Sequence, residues 1–239
     1  MSNGALPGTR GRKRIYLMRH GEVSYHRPDG RTVFSSEVDL TDEGVVQAQA
    51  MATMLADVPF DGAWHTGLTR TKRTAEIMMA GRALKLEIIH DLREIQGGSI
   101  EGMSDERLEA EFTYGLERAA LPGADFAGGE TFVDFQRRVV GSLEELLLQP
   151  GWTTALVVAH GATNAMILGW VTRGGLNGLG AFEQDAGCVN IIDVDVIDGE
   201  IIRRFIRALN LTPNNLSKLG RYWTVTEQIV NTRGSNKLK

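Results

Sequence analysis

Two histidine–glycine pairs, far apart in the chain, are the residues best suited to chemistry. Arg19-His20-Gly21 follows the apolar residues 15–18, and His160-Gly161 follows the apolar residues 155–159. Each apolar run has the length and composition of a buried β-strand. Ligands of open α/β sheets bind outside the carboxyl ends of the strands. We therefore expect the two imidazoles to meet at one edge of a sheet.

Two further polar residues follow predicted strands. Arg70 comes after a strand at 62–64, and Glu94 comes after a strand at 86–89. Arg70 also lies at the start of a helix that carries more basic residues in its first turn. Cations there oppose the helix dipole. This pattern indicates an anionic partner, the alternative being a solvated basic face.

These side chains together suit phosphoryl transfer, and the chemistry requires no metal or other cofactor. A neutral imidazole attacks phosphorus in line and holds the group as a phosphohistidine. Arg19 and Arg70 bind the phosphoryl oxygens and lower the pKa of the nucleophile. A second imidazole, in its protonated form, donates to the developing negative charge. Glu94 serves as general acid for the leaving alkoxide and then as base for water.

Strands alternate with helices along the chain. Strands are predicted at residues 14–18, 62–64, 86–89, 155–159, 188–194 and 201–206, and helices at 41–55, 69–79, 104–112, 131–148 and 163–171. This order predicts a three-layer α/β/α sandwich with a mostly parallel central sheet. The closing hairpin, around Asp198-Gly199, predicts one antiparallel edge strand.

One domain is predicted, over residues 13–210. Residues 1–12 form a flexible leader, and residues 211–239 form a polar tail that packs on or near the domain. The long loop at 23–39 and the surface excursion at 114–129 are expected, with the tail, to shape the pocket.

Bulk properties exclude several classes of protein. The net charge of −4 and the pI of about 5.8 give no support for binding nucleic acid or an anionic membrane. A single cysteine, Cys188, excludes an internal disulfide and fits a reducing compartment. The sequence has no apolar run of membrane-spanning length and no signal peptide, so a cytoplasmic location is predicted, with a homodimer as one possible assembly.

Short motifs occur in a fixed order between residues 14 and 206. They are Arg19-His20-Gly21-Glu22, Leu40-Thr41 with Gly44 and Gln47-Ala48, Thr66 to Arg70 with Thr74-Ala75, Leu92-Arg93-Glu94 with Glu101-Gly102, Gly128-Gly129-Glu130-Thr131, and residues 157–161. Together they resemble the signatures of the histidine phosphatase superfamily, also called the phosphoglycerate mutase-like family.

This resemblance implies roles for the candidate residues. His20 corresponds to the phosphoryl acceptor, and Glu94 matches the proton donor. Arg19, Arg70 and His160 correspond to the phosphate pocket.

The start of the helix after His160 adds two possible backbone donors, Gly161 and Ala162. Three departures from the family pattern bear on the fit of the substrate. Ser24 stands near the place where the family often has a phosphate-binding Asn, Ile100 replaces an aromatic residue, and His65-Thr66 replaces Ser-Ser.

The other reactive residues are interpreted as structural or peripheral. Glu22 is predicted to brace its loop, Cys188 to lie in the core, and His90 to end a strand. His26 and His65 either line the mouth of the pocket or are exposed. A metal site is not predicted, because the His-Gly pairs have no cluster of acidic ligands near them in the sequence.

We therefore predict a phosphatase that hydrolyses a small phosphorylated metabolite. The stretch Ile95-Gln96-Gly97-Gly98-Ser99 is short and uncharged, which favours a phosphatase over a cofactor-dependent mutase. A non-catalytic protein that binds a phosphorylated ligand is the other alternative.

Overall fold

The computed structural model describes residues 4–25, 38–98 and 103–228, and the strands of these residues form one sheet. In chain order they are β1 (Arg12–Arg19), β2 (Gly62–His65), β3 (Glu87–Ile88), β4 (Thr154–Ala159), β5 (Val189–Ile197) and β6 (Glu200–Leu211). Their order across the sheet is β3-β2-β4-β1-β5-β6. The first four pair in parallel, and β5 is antiparallel to both of its neighbours. The predicted mostly parallel sheet with an antiparallel edge is confirmed, the edge being the β5–β6 hairpin.

Helices cover both faces of this sheet. They are α1 (Asp42–Met54), α2 (Thr69–Met78), α3 (Asp105–Leu108), α4 (Phe132–Leu148) and α5 (Gly161–Thr172). Thr41 caps α1 as predicted, because its hydroxyl oxygen accepts from the Gly44 N–H at 3.1 Å. The predicted helix at 104–112 is α3 continued by one π-helical turn, Glu109–Thr113.

The alternation of side chains along β1 divides the core into two layers. Ile15 and Leu17 pack on α4 and α5, whereas Tyr16 and Met18 pack on α1 and α2. Successive side chains of a strand point to opposite faces, so a continuous apolar run fits a strand that is covered on both sides. The three layers predicted from the sequence follow from this.

Several element boundaries differ from the prediction by a few residues. β3 has only two residues, α5 starts at Gly161 rather than at residue 163, and β6 continues to Leu211. β6 was predicted to end at residue 206, but its pairing with β5 extends as far as Val189 and Leu211. Long-range pairing, not local sequence, therefore set the end of β6.

The described part of the tail contacts the body of the protein. The Lys218 ammonium donates to the Asp185 carboxylate and to the Asn210 carbonyl, both at 2.6 Å. Further along, the Val225 N–H donates to Glu183 Oε1 at 3.0 Å. Across the described residues, no helix has the length and apolar character needed to cross a bilayer.

A buried carboxylate fixes the β5–β6 hairpin to β1. Asp193 is fully buried, and it accepts two hydrogen bonds from Arg14, at 2.7 and 2.8 Å, and one from Arg207 at 2.8 Å. Desolvation raises the pKa of Asp193, but the hydrogen bonds and charges of the two arginines outweigh it and hold this pKa below its ordinary value.

Replacing Asp193 with Asn is therefore expected to lower the free energy of unfolding by about 3 kcal/mol at pH 7. Because the folded pKa is depressed, the contribution of Asp193 is present above the ordinary aspartate pKa of about 3.9 and is lost as the pH falls through the folded value. Urea unfolding at pH 7 and at pH 3 should show that the difference in free energy of unfolding between wild type and variant is smaller at pH 3. The matched control is Asp198→Asn, at a side chain that is 90% exposed; an equal loss in the control would contradict the assignment.

Candidate active site

The carboxyl ends of β1 and β4 bring His20 and His160 together. The parallel register pairs Arg19 with Ala159, and the His20 N–H donates to the Ala159 carbonyl at 3.1 Å. The two imidazole centroids are 5.3 Å apart, and both side chains are buried. The fold therefore brings the two imidazoles together, as the two histidine–glycine pairs predicted.

The His20 ring has a defined tautomer. Its Nδ1 lies 2.8 Å from the Gly21 carbonyl oxygen, and because a carbonyl only accepts, Nδ1 carries the proton. Arg70 Nε donates to His20 Nε2 at 3.3 Å, so Nε2 holds the lone pair. Desolvation by burial, followed by the charges of Arg19 and Arg70, lowers the pKa of His20 well below 6.5. His20 is thus a neutral imidazole with its lone pair on Nε2.

Close backbone contact explains the glycine that follows His20. A Cβ on Gly21 would lie 2.4 Å from the Gly44 carbonyl oxygen, and a Cβ on Gly44 would lie 2.2 Å from that of Glu22. The Glu22 N–H donates to Gln47 Oε1 at 2.9 Å, and the Glu22 carboxylate accepts from the Thr41 hydroxyl at 3.1 Å. The first turns of α1 therefore fix the turn after β1, and the predicted bracing role of Glu22 agrees with these contacts.

A chain of hydroxyl groups orients His160. Its Nε2 lies 2.9 Å from Thr66 Oγ1, which lies 3.0 Å from Thr71 Oγ1. The Thr71 hydroxyl donates to the Leu68 carbonyl at 2.9 Å, so the Thr66 hydroxyl donates to Thr71 and accepts from the His160 Nε2–H. Thr66, which replaces the second serine of the family pattern, keeps the hydroxyl that this chain of bonds needs.

The charge of His160 differs from the prediction. Desolvation by burial, followed by electrostatic interaction with His20 and with the charges of Arg70 and Arg19, lowers the pKa of His160 well below 6.5. The ring is therefore neutral, with its lone pair on Nδ1, whereas the sequence predicted a protonated ring. The physical reason is that the ring lies among cationic groups and away from water.

Arg19 and Arg70 are the basic side chains beside the histidines. Both are buried, and Arg19 Nη1 donates to the Gln184 carbonyl at 2.6 Å. Arg70 turns inward from the first turn of α2, whereas Lys72 and Arg73 in the same turn are exposed. Of the three basic residues at the start of α2, only Arg70 faces the site, and Lys72 and Arg73 belong to a solvated face.

Two buried nitrogen atoms in this site lack a hydrogen-bond partner. They are Arg19 Nε and His160 Nδ1, and in the described part of the chain no other fully buried side-chain nitrogen or oxygen is unpaired. A Cβ on Gly161 would lie 3.7 Å from Arg19 Nε and 3.8 Å from Glu94 Oε2. Arg19 Nε and Glu94 Oε2 therefore border the same space. Unpaired buried polar groups are rare and costly, and the unpaired Arg19 Nε beside this space marks the place of a polar ligand.

Glu94 caps the start of α5. Its carboxylate accepts from the Ala162 N–H, the Thr163 N–H and the Ile95 N–H, each at 3.1 Å, and from the Thr163 hydroxyl at 3.3 Å. An acidic group at a helix N-terminus is stabilised by the helix dipole. Ala162 was predicted to donate to phosphate, but its N–H is taken by Glu94, so this geometry does not support that role.

A half-buried ion pair between Arg138 and Glu130 braces the loop that carries Glu94. Arg138 donates to the carbonyl oxygens of Asp91 and Arg93, at 2.7 and 2.8 Å, and to that of Glu94 at 3.2 Å. Its guanidinium also makes two 2.7 Å hydrogen bonds to the Glu130 carboxylate. Glu130 of the Gly-Gly-Glu-Thr motif therefore holds Arg138 in place, and Arg138 in turn holds the backbone of the loop that carries Glu94, here called the acid loop.

A cavity of about 540 Å³ opens over these residues. Arg19, His20, Arg70, Glu94 and Gly161 line one part of its wall, and the rest includes Tyr25, Leu116, Glu117, Phe126, Thr224, Val225 and Thr226. These last seven residues belong to the loop at 23–39, the surface excursion at 114–129 and the tail at 211–239. The expectation that those three segments shape the pocket is borne out for the residues described.

Ser24 is the predicted phosphate-binding residue that lies apart from the cavity wall. It is exposed, whereas the adjacent Tyr25 lines the cavity. The two neighbouring side chains therefore have different surroundings, and Tyr25 is the one that faces the cavity. The structure does not support Ser24 as a phosphate ligand, and His26 and Ile100 lie outside the described residues.

The remaining reactive residues have structural surroundings. His65 is buried, and its Nδ1 accepts from the Gly67 N–H at 3.0 Å. His90 contacts Arg93 beside the end of β3. Cys188 is a fully buried core residue, and desolvation raises the pKa of its thiol to about 12.

Sequence reasoning missed Arg138 and Glu183. Arg138 follows the buried Phe135 by three residues, so it flanks the apolar stripe of α4, and this was a usable signal. Glu183 lies in a segment without periodicity, and no sequence signal marked it as part of the cavity.

Comparison with known proteins gives consistent matches. The family model for the histidine phosphatase superfamily (branch 1) matches residues 15–206. The chain is 28% identical to the adenosylcobalamin/alpha-ribazole phosphatase of Escherichia coli (strain K12), over 76% of this chain and 90% of that protein. It is 29% identical to the "probable 2-carboxy-D-arabinitol-1-phosphatase" of Arabidopsis thaliana, over 85% of this chain but only 42% of the length of that protein.

A solved structure shares the fold. The alpha-ribazole phosphatase of Shigella flexneri superposes with a TM-score of 0.65 at 26% sequence identity, covering 83% of this chain and 96% of that one. The family match spans nearly the same residues as the ordered motifs found in the sequence.

Proposed function

Because this chain belongs to the histidine phosphatase superfamily, we propose that it hydrolyses a small phosphomonoester through a phosphohistidine on His20 Nε2. The observation that carries the proposal is the state of His20: a buried, neutral ring whose Nε2 lone pair faces Arg70. A nucleophile must be unprotonated, and this environment keeps it so.

The first step transfers the phosphoryl group to the enzyme. A bond forms between His20 Nε2 and phosphorus while the bond from phosphorus to the leaving oxygen breaks, and Glu94 gives that oxygen a proton. Arg19 and Arg70 hold the phosphoryl oxygens by charge-assisted hydrogen bonds. The unpaired Arg19 Nε, which borders the space beside Glu94 Oε2, supports this position for the group.

The second step releases inorganic phosphate. Glu94, now ionised, takes a proton from water as the water oxygen attacks phosphorus and the bond to His20 Nε2 breaks. The N–H groups at the start of α5 hold the Glu94 carboxylate in place for both steps.

His160 takes up a proton when the phosphate dianion binds. Its neutral ring has a lone pair on the buried Nδ1, which is an acceptor and so disfavours a phosphoryl oxygen. A nearby dianion raises the pKa of the imidazole, and the added proton turns Nδ1 into a donor. Thr66 keeps Nε2 protonated and thereby directs the new proton to Nδ1.

Trapping the phosphoenzyme tests this function. The protein, with a chelator present, is mixed with 4-nitrophenyl phosphate, denatured in base and digested, because phosphohistidine is labile in acid but not in base. Mass spectrometry should find one phosphoryl group on the peptide that contains His20, and turnover should be insensitive to the chelator. Steady turnover without a labelled His20, or with the label on another residue, would overturn the proposal. A labelled His20 that water does not discharge would instead favour mutase-type transfer.

Arg138→Lys should lower kcat by about ten- to a hundredfold, because a slightly misplaced catalytic group costs that much. A lysine cannot hold the carbonyl oxygens of the acid loop and Glu130 at the same time. The loss should be larger for cleavage of an alkyl phosphate than for the first step with 4-nitrophenyl phosphate, since Arg138 acts through Glu94, and a purely structural role would lower both rates equally. Arg137→Lys is the matched control, because the neighbouring side chain is 72% exposed.

Three further properties are predictions. They are a cytoplasmic location, a homodimer, and the division into a leader at 1–12, a domain at 13–210 and a tail at 211–239. The contacts of Lys218 and Val225 support packing of the tail on the domain. Light scattering after size-exclusion chromatography would test the homodimer.

A further inference from the structure

The cavity has an aromatic wall formed by Phe112 and Phe126. Their ring centroids are 5.1 Å apart in an edge-to-face arrangement, and Phe126 makes a second such contact, at 6.4 Å, with Phe132. Phe132 and Phe112 are buried, and both Phe112 and Phe126 line the cavity. The wall is therefore fixed to the core of the protein and presents a preformed apolar surface.

This wall lies on the leaving-group side of the site. The residues that follow Glu94, from Ile95 to Gly98, also line the cavity, and a Cβ on Gly97 would lie 3.3 Å from the Phe126 ring. Glu94 must face the oxygen that leaves, whereas Arg19 and Arg70 face the phosphoryl group. The group attached to the leaving oxygen therefore extends along the loop toward Phe126.

The charges around the same space are unfavourable for an anionic leaving group. Besides the groups assigned to phosphoryl transfer, the described cavity wall carries the carboxylates of Glu117 and Glu183 and the guanidinium of Arg93. Arg93 already donates to the Thr66 carbonyl at 3.2 Å and contacts His90 at 3.1 Å. Glu117 and Glu183 are both exposed at this wall, and their carboxylates repel a third negative group with the moderate strength of charges at a protein surface.

We propose, on the basis of the function proposed above, that the substrate is the phosphate monoester of an alcohol that carries an aromatic ring and no negative charge. The ring packs on Phe112 and Phe126, and the carboxylates of Glu117 and Glu183 disfavour phosphorylated carboxylic acids.

The test compares three alkyl phosphates, so that the leaving oxygens have similar reactivity: 2-(1-naphthyl)ethyl phosphate, glycerol 3-phosphate and 3-phosphoglycerate. We expect kcat/KM to be at least about tenfold higher for the naphthylethyl ester than for glycerol 3-phosphate, and lowest for 3-phosphoglycerate. Equal values for the first two esters, or a preference for 3-phosphoglycerate, would overturn the inference while leaving the phosphatase function intact.

Two variants and one control assign the preference to the named residues. Phe126→Leu keeps the apolar character but removes the ring, and it should reduce the ratio of naphthylethyl to glycerol ester by about tenfold. The double variant Glu117→Gln and Glu183→Gln should raise the ratio of kcat/KM for 3-phosphoglycerate to kcat/KM for glycerol 3-phosphate, also by about tenfold. Phe60→Leu, on the opposite face of the sheet beside Tyr16, should leave both ratios unchanged. Ratios unmoved by the first two variants would contradict the assignment.

Failure of the function itself would look different. If the wild type cleaves none of the three esters, the phosphatase proposal fails, and calorimetric binding of the same esters then decides the inference. Tighter binding of the naphthylethyl ester, weakened by Phe126→Leu, would uphold it, and equal binding of all three would overturn it.

Discussion

His20→Ala is expected to abolish turnover, with kcat reduced by at least about 10⁴-fold, because removal of a nucleophile eliminates the covalent route. Within the described part of the chain the buried ring forms only two side-chain hydrogen bonds, one to the Gly21 carbonyl and one from Arg70. The loss of rate should therefore occur in a folded protein, which circular dichroism would verify. His90→Gln is the control, since His90 is exposed and lies outside the cavity wall.

The pH dependence of the wild type adds a second test of the nucleophile. Because burial and the two arginines lower the pKa of His20 well below 6.5, the ring stays neutral as the pH falls through 6.5. After allowance for the second ionisation of the phosphate ester, whose pKa is about 6, we expect kcat/KM to hold its value through that range and to fall only in stronger acid. A loss of kcat/KM that titrates at the ordinary histidine pKa, or a His20→Ala variant with an unaltered rate, would contradict the assignment.

Glu94→Gln is expected to have the second-largest effect, and the size should depend on the leaving group. With an alkyl phosphate, kcat should fall by about 10²- to 10⁴-fold, because the leaving alkoxide needs a proton. With 4-nitrophenyl phosphate the first step should be nearly unchanged, since nitrophenoxide leaves without a proton. The second step still lacks its base, so a burst of nitrophenol should precede a slow steady rate.

Stopped-flow measurement of that burst, together with the rates for the alkyl ester, tests whether Glu94 transfers the protons. An equal loss with both esters and no burst would show that Glu94 acts only as the cap of α5. The amide introduced by Glu94→Gln would turn a donor toward the N–H groups of Ala162 and Thr163, and we expect a stability cost of about 1–2 kcal/mol from that. Glu145→Gln, on the exposed side of α4, controls for the change in charge.

Local sequence patterns accounted for the fold class and for the central residues of the site. The alternating environment of Ile15 to Met18 is compatible only with a strand that is covered on both faces, and the Arg-His-Gly and His-Gly pairs lie where the parallel strands end. Parallel register then requires that His20 and His160 meet. These properties depend on short-range geometry and on sheet topology, which residue order specifies directly.

Tertiary contacts decided the chemistry of the individual groups. Arg137 and Arg138 are identical neighbours in the sequence, yet one is exposed and the other joins Glu130 to the acid loop. The neutral state of His160 and the use of the Ala162 N–H by Glu94 likewise arise from residues distant in the chain. Hydrogen bonding and desolvation depend on which surfaces are brought together, so the sequence by itself identified the reactive residues, and only the folded chain determined their protonation, their partners and the cavity they share.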